Sequence, residues 1–72
     1  MSICESAQAA LRQSPSPDIR GLTVVQFRSA IVLHGHVNSF YHKQLAQELI
    51  KSKIGGAELL NETKVIYRHE GD

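Results

Sequence analysis

This sequence predicts an α+β fold of order αββαβ, a small three-stranded mixed sheet with two helices packed on one face. Three observations carry the prediction. A capped amphipathic stretch ends at Ser14-Pro15-Ser16-Pro17. Two β-branched runs follow it, separated only by Arg28-Ser29. A second amphipathic stretch, closed by Gly55-Gly56, leads into a last alternating segment.

The first helix is expected over about residues 3–13. Ser2-Ile3-Cys4-Glu5 fits the capping box, in which Ser2 and Glu5 satisfy each other's backbone N–H groups. Ile3, Ala7, Ala10 and Leu11 then share one helical face. The two prolines stop the helix, because each lacks a donor and restricts the residue before it. A stripe built mostly of alanine implies close packing with few large contacts.

The first strand is expected over about residues 21–27, where Leu22-Thr23-Val24-Val25-Gln26-Phe27 favours extended backbone. Ala30 to Val37 reads as the second, and the pair as a hairpin. The second helix, about residues 40–53, is capped by Asn38 or Ser39. Tyr41, Leu45, Ala46, Leu49 and Ile50 form its apolar stripe, with Lys43, Gln44, Gln47, Glu48 and Lys51 toward water. The third strand is expected over about residues 59–67, and residues 68–72 as a loose tail. The crossover from second to third strand is expected to be right-handed. The predicted core is Leu22, Val24, Ile31, Leu33, Val37, Leu45, Leu49, Leu59 and Val65.

The 72 residues make one domain, residues 1–72, with little room for a deep cavity beside a core. The net charge of +1 lacks the basic excess of a dedicated nucleic-acid binder. The single cysteine, Cys4, allows no internal disulfide, so a reduced cytosol is the expected compartment. No secretion signal and no apolar run of about 20 residues is present, so no transmembrane segment is expected.

Ile31-x-Leu33-x-Gly35-x-Val37-x-Ser39, then Ala46-x-x-Leu49, then Gly55 and Leu59-x-Asn61-x-x-x-Val65, together resemble the BON domain. That family is named for bacterial osmotic-shock and nodulation proteins. The resemblance covers about residues 20–66 and implies the same αββαβ order, with the third strand parallel to the second. It also implies a non-enzymatic module, often in envelope proteins, that binds phospholipid or other partner surfaces. Gly35, Gly55 and Asn61 stand at its signature positions. Gln26, Gly56 and Thr63 depart from its usual apolar residues. The envelope setting implied by the resemblance stands against the cytosolic expectation from the missing signal.

Gly35 shares a face with Leu33 and Val37, where it would let a helix sit close. His34 and His36 lie on the opposite face, half of a metal site, with neither His42 nor His69 placed to complete it. No metal or other cofactor is therefore expected. Cys4 reads as a small buried hydrophobe rather than a nucleophile, and no enzyme is expected. Lys51-Ser52-Lys53-Ile54-Gly55-Gly56 only partly fits the G-x-x-G loop of an RNA-binding KH module. A KH-like nucleic-acid or metal-binding role is the alternative function. Lys43, Lys51 and Lys53 are candidates for contact with anionic lipid.

The remaining candidate is the sheet face away from the helices. The pleat sends Val25, Phe27, Val32, His34 and His36 there, joined by Leu60 and Ile66 with Glu62 and Lys64 between them. Clustered apolar groups on an open face mark a partner surface; the alternative reading is a local bulge that turns some of them inward, or a terminal segment that covers them. The expected occupant is a protein partner, a second copy of the chain, or lipid.

Overall fold

The computed structural model describes residues 2–66. It shows the predicted class, a small α+β fold with a mixed sheet and helices packed against it. The elements are α1 (Ile3–Arg12), α2 (Pro17–Arg20), β1 (Thr23–Phe27), β2 (Ala30–His34), β3 (His36–Val37), α3 (Phe40–Lys51), β4 (Glu58–Asn61) and β5 (Lys64–Val65).

β1 and β2 form an antiparallel hairpin, and β4 lies parallel to β2 on its other side. β3 pairs parallel with β5. Ala30 stands opposite Glu58 and Val37 opposite Val65, so the register is unchanged across the break. The backbone N–H groups of Glu62, Lys64 and Ile66 donate to the carbonyls of Leu33, Gly35 and Val37. The two short ladders are thus one parallel pairing interrupted at Gly35, which holds a φ of +129°. The predicted second strand is β2 plus β3, and the predicted third strand is β4 plus β5. Tyr67 and the expected tail lie outside the described residues.

α1 begins with the expected capping box: Glu5 N–H donates to Ser2 Oγ at 3.1 Å and Ser2 N–H to Glu5 Oε1 at 3.0 Å. Ala7 and Leu11 carry its buried face. The second proline starts an element as well as following one. Pro17 sits at the first position of α2, where its fixed φ suits a helix and no N–H is needed. This turn buries Ile19 completely, and β1 therefore starts at Thr23 rather than at Gly21.

α3 ends at Lys51, before the glycines expected to stop it. The chain then turns through Gly55, at φ +60°, and buries Ile54. The predicted stripe of this helix needs correction. Ala46 and Ile50 are buried, Leu45 and Leu49 are half-buried, and Tyr41 is 68% exposed. The inward arc includes two polar residues, Lys43 and Gln47, which are half-buried rather than facing water.

The core lies between the helices and one sheet face. It contains Leu22, Val24, Ile31, Leu33 and Val37 as predicted, with Ala7, Leu11, Ile19, Ala46, Ile50 and Ile54. Leu45, Leu49, Leu59 and Val65 pack on its margin, only partly buried.

Candidate functional site

Among the described residues, the helices cover one side of the sheet and leave the other open. Alternation decides which side chains stand there. Two open-face rows run across the three strands, Phe27–Ala30–Glu58 and Val25–Val32–Leu60, and a third, Thr23–His34, is extended by Glu62 in the register that continues to His36–Lys64. His36 and Lys64 continue the face beyond Gly35, and Ile66 follows them. Phe27 is 61% exposed, and Val25, Leu60 and Ile66 are also exposed. Val32, expected as an exposed member, is only 6% exposed. It lies on the central strand, with Val25 and Leu60 beside it on either side. His34 and His36 are exposed.

The face therefore has two halves. One is mainly apolar, with Phe27 at one corner, the Val25–Val32–Leu60 row across it and the exposed Glu58 at the opposite corner. The other is mainly polar, with His34, His36, Glu62 and Lys64, and ends at the exposed Ile66. Arg28 stands at the corner of the apolar half, its guanidinium carbon 5.4 Å from the centre of the Phe27 ring. That contact holds a cation over the aromatic face.

The sheet edges are partly closed by side chains. On β1, the Gln8 amide donates to Leu22 O at 3.0 Å and accepts from Val24 N–H at 2.9 Å. It occupies the positions a neighbouring strand would use. Cys4, expected to be buried, is half-buried, and its thiol donates to Val24 O at 3.4 Å, which makes it part of the same cover. On the far edge, Asn61 Oδ1 accepts from Thr63 N–H at 3.2 Å, and Lys43 Nζ donates to Thr63 O.

Asn61 is the tie between α3 and the sheet. Its amide nitrogen donates to Lys43 O at 3.1 Å and Gln47 Oε1 at 3.2 Å. Its oxygen also accepts from Thr63 Oγ1 at 2.6 Å. These four bonds use the full capacity of the side chain, and they explain the polar residues on the inward arc of α3. No periodicity in the sequence could show this network, because its members lie on two elements far apart in the chain.

Gly35 is also a structural position. A Cβ there would lie 2.7 Å from Leu22 Cδ2. The close neighbour is thus the side chain leading into β1, not a helix as expected from sequence. Gly55, by contrast, has open space around it and serves the turn through its positive φ.

The lysines do not form one patch. Lys43 is engaged with Thr63, whereas Lys51 and Lys53 are exposed at the other end of α3. His42 opens α3 beside its cap, its ring Nδ1 2.8 Å from Ser39 Oγ. Among the described residues, no group of three or more His, Cys, Asp or Glu side chains is placed to hold a metal. His69 lies outside them. A shallow groove of about 540 Å³ runs between the ends of α1 and α3, lined by residues that include Ala10, Gln13, Leu45 and Leu49. Among the described residues, its walls carry no carboxylate, histidine or cysteine. No described helix is long and apolar enough to cross a membrane.

No family model matches the chain, and no curated protein matches it. The likeness to the BON domain rests on the residues of this chain alone.

Proposed function

We propose that this chain is a non-enzymatic binding module of BON type, whose docking surface is the open face of the sheet. One observation carries the reading. Phe27, Val25 and Leu60 stand exposed together on a face where a sheet open to water normally places polar groups. Phe27 is the anchor, a large aromatic at the corner of an apolar row. The charges on this face are mixed, Arg28 and Lys64 against Glu58 and Glu62. Such a balance gives little electrostatic attraction to an anionic membrane, so a protein surface is the favoured partner over phospholipid.

The test is Phe27→Ser with Leu60→Thr, two exposed positions whose change leaves the core intact. Circular dichroism and a melt establish that the variant folds. Sedimentation, vesicles of neutral and of anionic phospholipid, and photo-cross-linking from residue 23, which is exposed on the open face, in a cell extract then report association. Association by the native chain that the variant loses supports the reading. A variant that retains every association, or a native chain that shows none, overturns it. Loss confined to vesicles makes the partner lipid and overturns the protein preference.

A further inference from the structure

We infer that the open face binds a second copy of this chain, about a two-fold axis running close to the direction of β2. The inference rests on the reading of the open face as a docking surface and names its occupant.

β2 lies in the middle, with β1 on one side and β4 on the other. Rotation by a half-turn about an axis along β2 lays one open face on another and exchanges β1 with β4. The row Val25–Val32–Leu60 is then placed on Leu60–Val32–Val25 of its partner. Each side of the row is a branched aliphatic of similar size, so the row is complementary to itself, as a two-fold interface requires. Sheets stacked face to face cross at about 30°, which this axis accommodates with a tilt of about 15° from the strand.

The charges give the second, independent observation. At the hairpin end, Phe27, Ala30 and Glu58 form one row across the three strands. Arg28 adjoins Phe27 on the β1 side, its guanidinium over the Phe27 ring. Glu58 is exposed on the β4 side. Two strand spacings of about 4.8 Å separate the columns, so Phe27 and Glu58 stand about 10 Å apart within one chain. The same half-turn that matches the apolar rows brings Arg28 of each copy to Glu58 of the other. The cation held over Phe27 is thereby covered by a carboxylate, and the pair forms twice. An axis across the strands, centred on the apolar row, instead sets Glu58 against Glu62, which repel.

The edges point the same way. With Gln8 bonded along β1, and with Thr63 N–H and O engaged by Asn61 and Lys43, strand addition at these positions is blocked. The face remains. It is about 14 Å across its three strands and about 26 Å along residues 30–37, a footprint of roughly 360 Å², well short of the roughly 800 Å² per partner of a standard interface. The dimer is therefore of the weak, concentration-dependent kind.

The experiment is a charge exchange read by sedimentation and by native-state light scattering, from about 10 µM to about 1 mM, the range that a weak contact demands. The native chain shifts from monomer toward dimer as concentration rises. Arg28→Glu and Glu58→Arg each abolish the shift, since each sets like charges together. An equimolar mixture of the two variants recovers it, because both crossed pairs are again opposite in sign. Added salt weakens the native dimer. Melting curves confirm that both exposed variants fold. A native chain that stays monomeric throughout overturns the inference. So does a dimer indifferent to both reversals, or a mixture that fails to recover. A monomeric chain whose vesicle or extract binding is still lost in Phe27→Ser with Leu60→Thr leaves the docking face standing and removes only the second copy as its occupant.

Discussion

Gly35 faces Leu22 so closely that a Cβ at position 35 would lie 2.7 Å from Leu22 Cδ2, at a backbone φ of +129°. Leu22 is fully buried and has little room to yield. Two penalties act together: a backbone that favours glycine, and a collision inside the core. Gly35→Ala is expected to destabilise the fold by about 1–3 kcal/mol, the range for a residue forced into such a conformation, with the collision added. Urea unfolding measures it. A loss below about 0.5 kcal/mol, the surface range, would show that the position is not constrained.

Ile50 and Leu49 are adjacent on α3 but differ in burial. Ile50 is inaccessible, whereas Leu49 is half-buried and lines the groove beside α1. Ile50→Ala is expected to cost about 2–5 kcal/mol, the core range. Leu49→Ala should cost less than half of that, because water can enter the space it leaves. A domain of this size has little stability to lose, so a melt of Ile50→Ala should show a large fall or no folded state. Equal losses for the two would place Leu49 in the core after all.

Asn61 holds Thr63 and α3 through four hydrogen bonds. Thr63 is buried, so removing the amide leaves a hydroxyl and an N–H without their partner in the protein. Asn61→Ala is expected to destabilise by about 2 kcal/mol or more, since each orphaned buried group costs about 1–3 kcal/mol. Thr63→Val in the same chain should recover part of it by removing the orphaned hydroxyl. Additive losses in the double variant would disprove the coupling.

Glu5 has its pKa lowered by the Ser2 backbone N–H first and the Ser2 hydroxyl second, with desolvation opposing them slightly. A carboxylate with a depressed folded-state pKa stabilises the fold above its unfolded pKa. That contribution is lost as pH falls through the folded value. The native melting temperature should therefore fall relative to Glu5→Gln as pH drops below the ordinary glutamate range. An unchanged difference between the two curves would show that the capping box does not form in solution.

How much of this was legible in the sequence depends on the distance over which each constraint acts. The capping box, the hairpin and the pleat are local, and Val25, Phe27 and Leu60 stood on the expected face. The α2 turn is hidden because the Ser-Pro-Ser-Pro pattern marks Pro17 as a terminator, although proline is also a good first residue of a helix. The stripe of α3 was displaced because Lys43 and Gln47 point inward to partners on and beside β4, which a polarity pattern assigns to water. Val32 was misplaced for a different reason. Period-2 alternation says which side a residue faces, but not that neighbours on both flanking strands bury it there.

Arg28 joins the energetics of the turn to the proposed interface. It is the one described residue other than glycine with a positive φ, at 58°, a conformation that costs an L side chain roughly 1–2 kcal/mol. Glycine is the usual residue at the first position of a hairpin turn with this sign of φ. Arg28→Ala keeps the strain and loses the contact with Phe27, whereas Arg28→Gly relieves the strain and loses the same contact. Arg28→Gly should therefore be more stable than Arg28→Ala by about 1 kcal/mol in urea unfolding of dilute monomer, roughly the αL relief less some chain entropy. Both should lose self-association at high concentration, because both lack the guanidinium that meets Glu58 of the partner. If Arg28→Gly still dimerises as the native chain does, the cation is not part of the interface. If the two variants are equally stable, the turn does not hold Arg28 in the left-handed region.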